Sequence, residues 1–335
     1  MDRSSQAASV LGVDVGGTKV AVAPIGRGGE VLAPALVEPT TTNSQEAFTA
    51  GLSATLKRAM TEFAEMQPTA VGVACAGTVD SERGVVVTSP NLPLREARLA
   101  DALQESLGLS VVLENDANAA AWAEATAGAA AGCRHMVMLT LGTGVGGGLV
   151  LDGRLYRGAG GGAAELGHVI VCAGGEPCAC GGRGCLEMYA SGTALERFAR
   201  DRAGTVEDED GTLAGLLSAG RLDGAAVSKS AQAGHAGARA AVAELAYWLG
   251  VGLVSLTNTF NPEFIVVGGG VSSLGELILG PARKALLETA IAPNRDQVRV
   301  VSAALGNSAG VVGGGMAAWA ALADGDPADE GGSIA

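Results

Sequence analysis

Apolar runs broken by glycine turns are the most regular pattern in the chain. Residues 10–15 are apolar apart from Asp14, Gly16-Gly17-Thr18 follows them, and residues 19–23 are largely apolar again after Lys19. Short apolar runs separated by a glycine-containing turn are typical of two strands joined as a hairpin. The pattern therefore predicts strand, tight turn and strand at the beginning of the chain.

The same arrangement recurs in the middle of the chain. Met136–Leu141 is an apolar run, Gly142-Thr143-Gly144 forms the turn, and Val145–Leu151 is predicted as the return strand. A third apolar run at 264–267 ends in Gly268-Gly269-Gly270 and leads towards a helix. Backbone amides in such turns converge on phosphate oxygens, and helix N-termini also hold anions.

These glycines have two other possible interpretations. Residues 142–147 match G-x-G-x-x-G, but a dinucleotide-binding fold requires a helix to begin there, and the apolar pattern continues as a strand instead. The glycines could also serve only to close hairpins. Two similar hairpins together with a third glycine-rich strand end favour a nucleotide-binding protein.

A polar segment follows the apolar residues 111–113. It reads Glu114-Asn115-Asp116-Ala117-Asn118 and precedes an alanine-rich helix predicted to reach about residue 131. Asp116 lies where a strand gives way to a helix, a position that suits a catalytic carboxylate. Aspartate is also a preferred helix N-cap, so capping is the alternative role. A second polar edge, at 89–93, follows the predicted strand Val85–Thr88.

Three thiols lie close in sequence to one histidine. Cys178, Cys180 and Cys185 with His168 form the ligand set of a tetrahedral structural zinc ion. Glu165 and Glu187 flank this stretch, so a metal here would hold both acids in place.

Two alternatives compete with zinc. Buried free cysteines are common, and disulfides could be drawn among four thiols that include Cys172. A bridge from Cys178 to Cys180 would close a strained loop. Intracellular thiols stay reduced, which favours the metal.

The composition bounds the remaining possibilities. The 335 residues carry a net charge of −13, which argues against a broad nucleic-acid-binding surface. No apolar run of about 18 residues is apparent, so no membrane span is expected and the protein is predicted to be cytoplasmic. The acidic segment 205–211 is expected to be a solvated loop. His135 and His235 show no clustered polar partners in the sequence and are expected at the surface or in loops, and the tail 324–335 is expected to be disordered.

Together these motifs resemble the ROK family of sugar kinases. The segments that carry the resemblance occur in order from about residue 10 to residue 323. They are Asp14-Val-Gly-Gly-Thr-Lys19, Glu114-Asn-Asp-Ala-Asn-Ala-Ala-Ala-Trp-Ala-Glu124, Leu141-Gly-Thr-Gly-Val-Gly-Gly-Gly148, Glu165-Leu-Gly-His168, Cys178-Ala-Cys-Gly-Gly-Arg-Gly-Cys-Leu-Glu187 and Val267-Gly-Gly-Gly270.

The resemblance implies a chemical role for each matched position. Asp116 would be the general base for the sugar 6-hydroxyl in ATP-dependent phosphorylation of glucose. The implied sugar-pocket residues are Gly77, Asn91, Asn115, Asp116, Glu165, His168 and Glu187. The implied contacts to ATP and Mg²⁺ are Asp14, Gly16, Gly17, Thr18, Lys19, Gly142, Thr143, Gly144, Gly268 and Gly269.

The repeated hairpins and the resemblance predict an α/β fold of two domains with a cleft, as in the actin and hexokinase (ribonuclease H-like) superfamily. The small domain is predicted at 1–117 with a C-terminal helix at 307–322, and the large domain with the zinc loop at 118–306. A homodimer or homotetramer is implied, acting on a sugar and ATP in glycolysis. Alternatives are a kinase of fructose, N-acetylmannosamine or N-acetylglucosamine, or a non-catalytic sugar-responsive regulator. Polyphosphate in place of ATP also stays open.

Overall fold

The structure is a computed structural model that describes residues 9–324. The disorder expected of the tail falls on residues 325–335, outside the described residues. The strands are β1 (Ser9–Val15), β2 (Lys19–Ile25), β3 (Leu36–Pro39), β4 (Pro68–Cys75), β5 (Thr78–Asp80), β6 (Val85–Thr88), β7 (Arg95–Ala97), β8 (Ser110–Asn115), β9 (Met136–Leu141), β10 (Val145–Leu151), β11 (Arg154–Leu155), β12 (Phe264–Gly268) and β13 (Arg299–Ser302).

Helices occupy most of the remaining described chain. They are α1 (Gln45–Glu62), α2 (Leu99–Leu107), α3 (Asp116–Ala127), α4 (Glu187–Ala190), α5 (Gly192–Arg202), α6 (Thr212–Ser218), α7 (Gly224–Gln232), α8 (Ala236–Phe260), α9 (Glu276–Thr289), α10 (Asn294–Gln297) and α11 (Ala309–Asp324). Short 3₁₀ helices lie at Ala64–Met66, Leu166–His168, Gly270–Leu274 and Gly306–Ser308. Helix α3 ends four residues before the predicted position because Gly128 follows it as C-cap.

Both predicted hairpins are confirmed, and each belongs to a five-stranded sheet. The first sheet has the order β3-β2-β1-β4-β8, and the second has the order β11-β10-β9-β12-β13. In each, the hairpin strands are antiparallel, while the central strand pairs in parallel with its other neighbour. The third predicted strand is confirmed as β12. Strands β5, β6 and β7 form a separate antiparallel sheet.

The chain divides into two compact units. The first contains residues 9–132, 155–163 and 307–324, and the second contains residues 133–154 and 164–306. The sequence-based boundary after residue 117 differs from this division, because α3 packs against α11 and β8 within the first unit.

Helix α11 lies directly on the first sheet because glycines face each other at the contact. A Cβ atom added at Gly72 of β4 would overlap the carbonyl oxygen of Gly314. Gly12 of β1 faces the carbonyl oxygen of Val311 in the same way. This close approach places the end of β1 beside α11. On the other side of the sheet, Phe48, Leu52 and Leu56 of α1 belong to the buried apolar cluster.

The core of the second unit is built on helix α8, which packs against α9, α5 and α7. By length and composition alone α8 could cross a membrane, although Arg239 and Glu244 interrupt its apolar sequence. However, 56% of its most apolar window is buried inside the protein. One largely buried apolar helix is typical of a protein core, so it is weak evidence for a membrane span.

Candidate active site

Asp116 is fixed at the start of α3 by its neighbours. One carboxylate oxygen, Oδ1, accepts hydrogen bonds from the backbone N–H of Ala117 at 3.0 Å and from Asn115 Nδ2 at 3.1 Å. Burial raises the pKa of Asp116 above its ordinary value, against the lowering effect of these donors. The carboxylate is therefore oriented, and it holds a proton more readily than an ordinary aspartate.

Asn115, rather than Asp116, is the N-cap of α3. Its Oδ1 accepts from the N–H groups of Ala117 at 2.9 Å and Asn118 at 3.0 Å. Its Nδ2 also donates to the carbonyl oxygen of Gly77 at 2.8 Å. The structure therefore brings Gly77, Asn115 and Asp116 together, and the capping role considered for Asp116 belongs mainly to its neighbour.

The first glycine turn, Gly16-Gly17-Thr18, lies at the end of β1, beside the half-buried carboxylate of Asp14. Gly16 N–H donates to the carbonyl oxygen of Lys19 at 3.0 Å, which closes the turn. Burial raises the pKa of Asp14, and the negative charge of Asp116 raises it further, while Lys19 opposes the shift. A Cβ at Gly17 would lie 3.3 Å from Cβ of Asn91, so the predicted polar loop at 89–93 reaches this turn.

The second glycine turn, Gly142-Thr143-Gly144, is hydrogen-bonded to residues at the start of α4 and α5. Gly192 N–H donates to the carbonyl oxygen of Gly142 at 2.7 Å, and Thr193 Oγ1 donates to that of Thr143 at 2.8 Å. Glu187 Oε2 accepts from the N–H of Val145 at 2.9 Å. Sequence analysis missed the two α5 contacts, because Ser191-Gly192-Thr193 carries no motif of its own.

A cavity of about 610 Å³ opens beside the second turn. This volume lies in the ordinary range for sites of small ligands and cofactors. Gly269 packs on the end of β9, since a Cβ there would overlap the backbone of Leu141. That contact joins the glycine run at the end of β12 to the second glycine turn. Lining residues missed by sequence analysis come mainly from α5 and α7: Glu196, Asp223, Ser228, Lys229 and Gln232.

The predicted thiol cluster forms in the second unit. The ligand atoms of His168, Cys178, Cys180 and Cys185 all lie within 4.8 Å of one another. The Sγ atoms of Cys180 and Cys185 are 3.7 Å apart, and Cys178 Sγ is 3.7 Å from His168 Nδ1. Tetrahedral zinc with Zn–S bonds of about 2.3 Å requires sulfurs about 3.8 Å apart. The residues therefore fit a tetrahedral ion, and all six cysteines of the chain are free thiols.

The remaining predicted sugar ligands lie around this cluster in the second unit. Glu165 Oε2 lies 4.0 Å from His168 Nε2, and the Glu165 side chain is 70% exposed. Glu187 Oε1 lies 4.0 Å from Cys178 Sγ while its other oxygen holds Val145. One carboxylate therefore links the thiol cluster to the second glycine turn.

One polar cluster was not predicted from the sequence. His235 Nε2 lies 2.8 Å from Asp210 and 3.2 Å from Asp208, and its side chain is only 7% exposed. Its Nδ1 accepts from the N–H of Ala238 and so caps α8. His235 therefore lies in a loop, as expected, but its side chain is packed against Asp208, the one buried residue of the otherwise exposed loop 205–211. The sequence did not predict this contact, because His235 lies beyond α6 and α7.

Known sugar kinases are similar to this chain in both sequence and structure. The chain is 39% identical over 306 residues to the glucokinase of Streptomyces coelicolor, covering 90% of this chain and 95% of that protein. It resembles a crystal structure of a ROK family glucokinase from Streptomyces griseus in complex with glucose and AMPPNP, at 39% identity and a TM-score of 0.78, covering 93% of this chain and 99% of that one. It also resembles a ROK hexokinase from Thermus thermophilus, at 35% identity and a TM-score of 0.77, covering 95% and 100% of the two chains.

The sheet order and these similarities define a hexokinase-type phosphotransferase of the two-domain actin-like fold. The family model described as "ROK family" matches residues 10–322. The chain therefore belongs to the ROK family.

Proposed function

We propose that the protein is a glucokinase, which transfers the γ-phosphoryl group of ATP to the 6-hydroxyl of glucose. The observation that carries the proposal is the oriented carboxylate of Asp116 at the β8–α3 junction, whose pKa is raised above its ordinary value by loss of solvent around it. It occurs in a chain 39% identical to a glucokinase crystallised with glucose and AMPPNP.

Asp116 is proposed to act as the general base. The bond between the sugar O6 and the γ-phosphorus forms, the bond from that phosphorus to the bridging oxygen of ADP breaks, and the O6 proton passes to Asp116. Phosphoryl transfer depends mainly on positioning and charge neutralisation, to which one well-placed base adds proton removal. A carboxylate whose pKa is raised is a better proton acceptor than one with the ordinary pKa.

The two glycine turns are proposed to hold the donor. Their backbone N–H groups and the hydroxyls of Thr18 and Thr143 suit phosphate oxygens, and the 610 Å³ cavity suits the nucleoside. Asp14 is an oxygen ligand of the kind that Mg²⁺ binds. Mg²⁺, when bound, neutralises phosphate charge.

The sugar hydroxyls are proposed to bind to Asn91, Asn115, Glu165, His168 and Glu187. Their amides and carboxylates supply both donors and acceptors, which the alternating hydroxyls of a hexose require. Glu187 Oε2 accepts from the N–H of Val145, so Oε1 is the oxygen proposed to bind the sugar.

A structural zinc ion is proposed at His168, Cys178, Cys180 and Cys185. The support is the near-tetrahedral spacing of the donor atoms and the soft thiolate donors. Four protein ligands complete the coordination of zinc, so its role would be to hold the loop rather than to activate water.

The reaction would place the protein in the cytoplasm at the entry to glycolysis, as a homodimer or homotetramer. A kinase of another hexose or N-acetylhexosamine is the second candidate, because Glu165 is exposed and does not by itself select one sugar. A sugar-responsive regulator without activity is the third.

A coupled ADP-release assay separates these candidates. Glucose, mannose, fructose, N-acetylglucosamine and N-acetylmannosamine are compared at equal concentration, with ATP or polyphosphate as donor. The proposal expects the highest kcat/KM for glucose with ATP. A higher value for another sugar supports the second candidate, and no turnover with any sugar supports the third.

A further inference from the structure

Glu114 is a buried carboxylate that the proposed mechanism leaves without a role. It precedes Asn115 at the end of β8, and its side chain is 2% exposed. Oε1 accepts from Asn115 N–H at 3.1 Å, from Asn118 Nδ2 at 3.1 Å and from Ser81 Oγ at 3.3 Å. Its second oxygen, Oε2, pairs with Arg157 Nε at 2.7 Å.

Arg157 lies in a glycine-rich connection that the sequence motifs did not include. Residues 155–163 belong to the first unit, although the chain before and after them belongs to the second. The carbonyl oxygen of Arg157 accepts from Ala163 N–H at 3.1 Å, which closes the connection into a loop. Gly161 packs so tightly on the carbonyl oxygen of Val79 that a side chain would not fit. The loop is therefore attached to the first unit at both ends, and Glu165 follows it two residues later.

The ion pair is also connected to the proposed base, Asp116, by two successive hydrogen bonds. Glu114 holds the backbone N–H of Asn115, and Asn115 Nδ2 holds Oδ1 of Asp116. An isolated buried charge is unfavourable, so loss of Arg157 would force Glu114 to move or to take up water. Either change would disturb Asn115 and hence the direction of the Asp116 carboxylate.

We propose that Glu114 and Arg157 are positioning residues for sugar phosphorylation, which orient Asp116 and anchor the connection that leads to Glu165. This inference rests on the proposed function of Asp116. It assigns to the pair an effect on the sugar half of the reaction. The cavity beside the second glycine turn should be unaffected, because residues of the second unit alone line it.

The test uses Arg157→Met, Arg157→Lys and, as a matched control, Arg83→Met. Arg157 is 39% exposed, so its replacement is tolerated better than that of Glu114. Arg83 pairs with Asp80 in the same unit, but its side chain is 65% exposed and the N–O distance is 3.6 Å. Steady-state kinetics are measured with the sugar that the wild-type chain phosphorylates fastest, together with melting temperatures.

The expected result is a split between the two substrates. Misplacement by about 1 Å costs up to roughly 100-fold, so kcat/KM for the sugar in Arg157→Met should fall by about 10- to 100-fold. KM for ATP should stay within about twofold. Arg157→Lys should recover part of the loss, because it keeps the charge but cannot place a donor where Nε lies. Arg83→Met should resemble the wild type.

Two results would overturn the inference. One is a folded Arg157→Met enzyme with kcat/KM for the sugar within about threefold of the wild type. The other is a KM for ATP raised by about the same factor as kcat/KM for the sugar is lowered, which a disturbance of the whole fold would produce. If Arg157→Met does not fold, the same limits apply to Arg157→Lys. A wild-type preference for a sugar other than glucose would contradict the proposed function but leave this test decisive.

Discussion

Replacement of Gly144 by alanine should impair the donor site without unfolding the protein. A Cβ at this position would lie 3.1 Å from Cδ of Glu187 and would overlap Oε2. Ordinary carbon contacts are about 3.5–4 Å, so the carboxylate must move. It now accepts from Val145 N–H at 2.9 Å, and a displacement of about 1 Å would break that bond.

The size of the effect follows from the bond that is lost. A hydrogen bond to a charged group contributes about 1.5–3 kcal/mol, which corresponds to roughly a 10- to 150-fold change in an equilibrium constant. The bond fixes the second glycine turn, so kcat/KM for ATP should fall by about that factor. Glu187 is also a proposed sugar ligand, so KM for glucose should rise as well.

The assay is ADP release with ATP varied at saturating glucose. Gly215→Ala is the matched control, because a Cβ at Gly215 in α6 meets no atom within 4 Å and the residue lies outside the site. The control should stay within about twofold of the wild type. Wild-type kcat/KM for ATP in Gly144→Ala would show that the contact between Glu187 and the turn does not matter.

Three further predictions concern the metal and pH. Cys180→Ser, which removes one proposed zinc ligand, and chelation, which removes the ion, should each lower both the melting temperature and the activity. Protein purified without chelator that contains no zinc would contradict this. The rate should fall as the pH is lowered, starting above the usual aspartate range of about 3.9, because burial raises the pKa of Asp116; an acid limb at or below that value in a pH–kcat profile would refute the assignment. For Asp208, burial acts to raise the pKa, but the backbone N–H groups of Gly204, Leu213 and Ala214, with the His235 charge, lower it overall. The ionised Asp208 carboxylate therefore stabilises the fold above about pH 3.9, and this contribution is lost as the pH falls towards the pKa of the folded state. Asp208→Asn should therefore destabilise the protein most near neutral pH. An equal difference in melting temperature between variant and wild type at pH 3 and at pH 7 would contradict this.

The parts of the fold that depend on local patterns could be predicted from the sequence. The two hairpins, strand β12 and the thiol cluster each rest on residues close together in the chain. The order of the strands in each sheet could not be predicted from local patterns, because it depends on contacts between distant segments, such as those of α11 with β1 and β4.

The parts of the site that depend on distant partners were also missed. Glu114 meets Arg157 across 43 positions of sequence, and His235 meets Asp208 across two intervening helices. The polar residues that α7 contributes to the cavity carry no turn motif. Asn115 and Asp116 are both good capping residues, so only the hydrogen bonds decide which of them caps α3.

The most direct test of the account is kcat of Asp116→Asn, measured beside its melting temperature. The substitution keeps the shape of the side chain and removes the proton acceptor, while Asn115 continues to cap α3. The account predicts a folded variant with a melting temperature close to the wild type and a kcat lowered by roughly 10²- to 10⁴-fold. A folded variant that phosphorylates glucose at nearly the wild-type rate would contradict it and leave Asp116 with a structural role only.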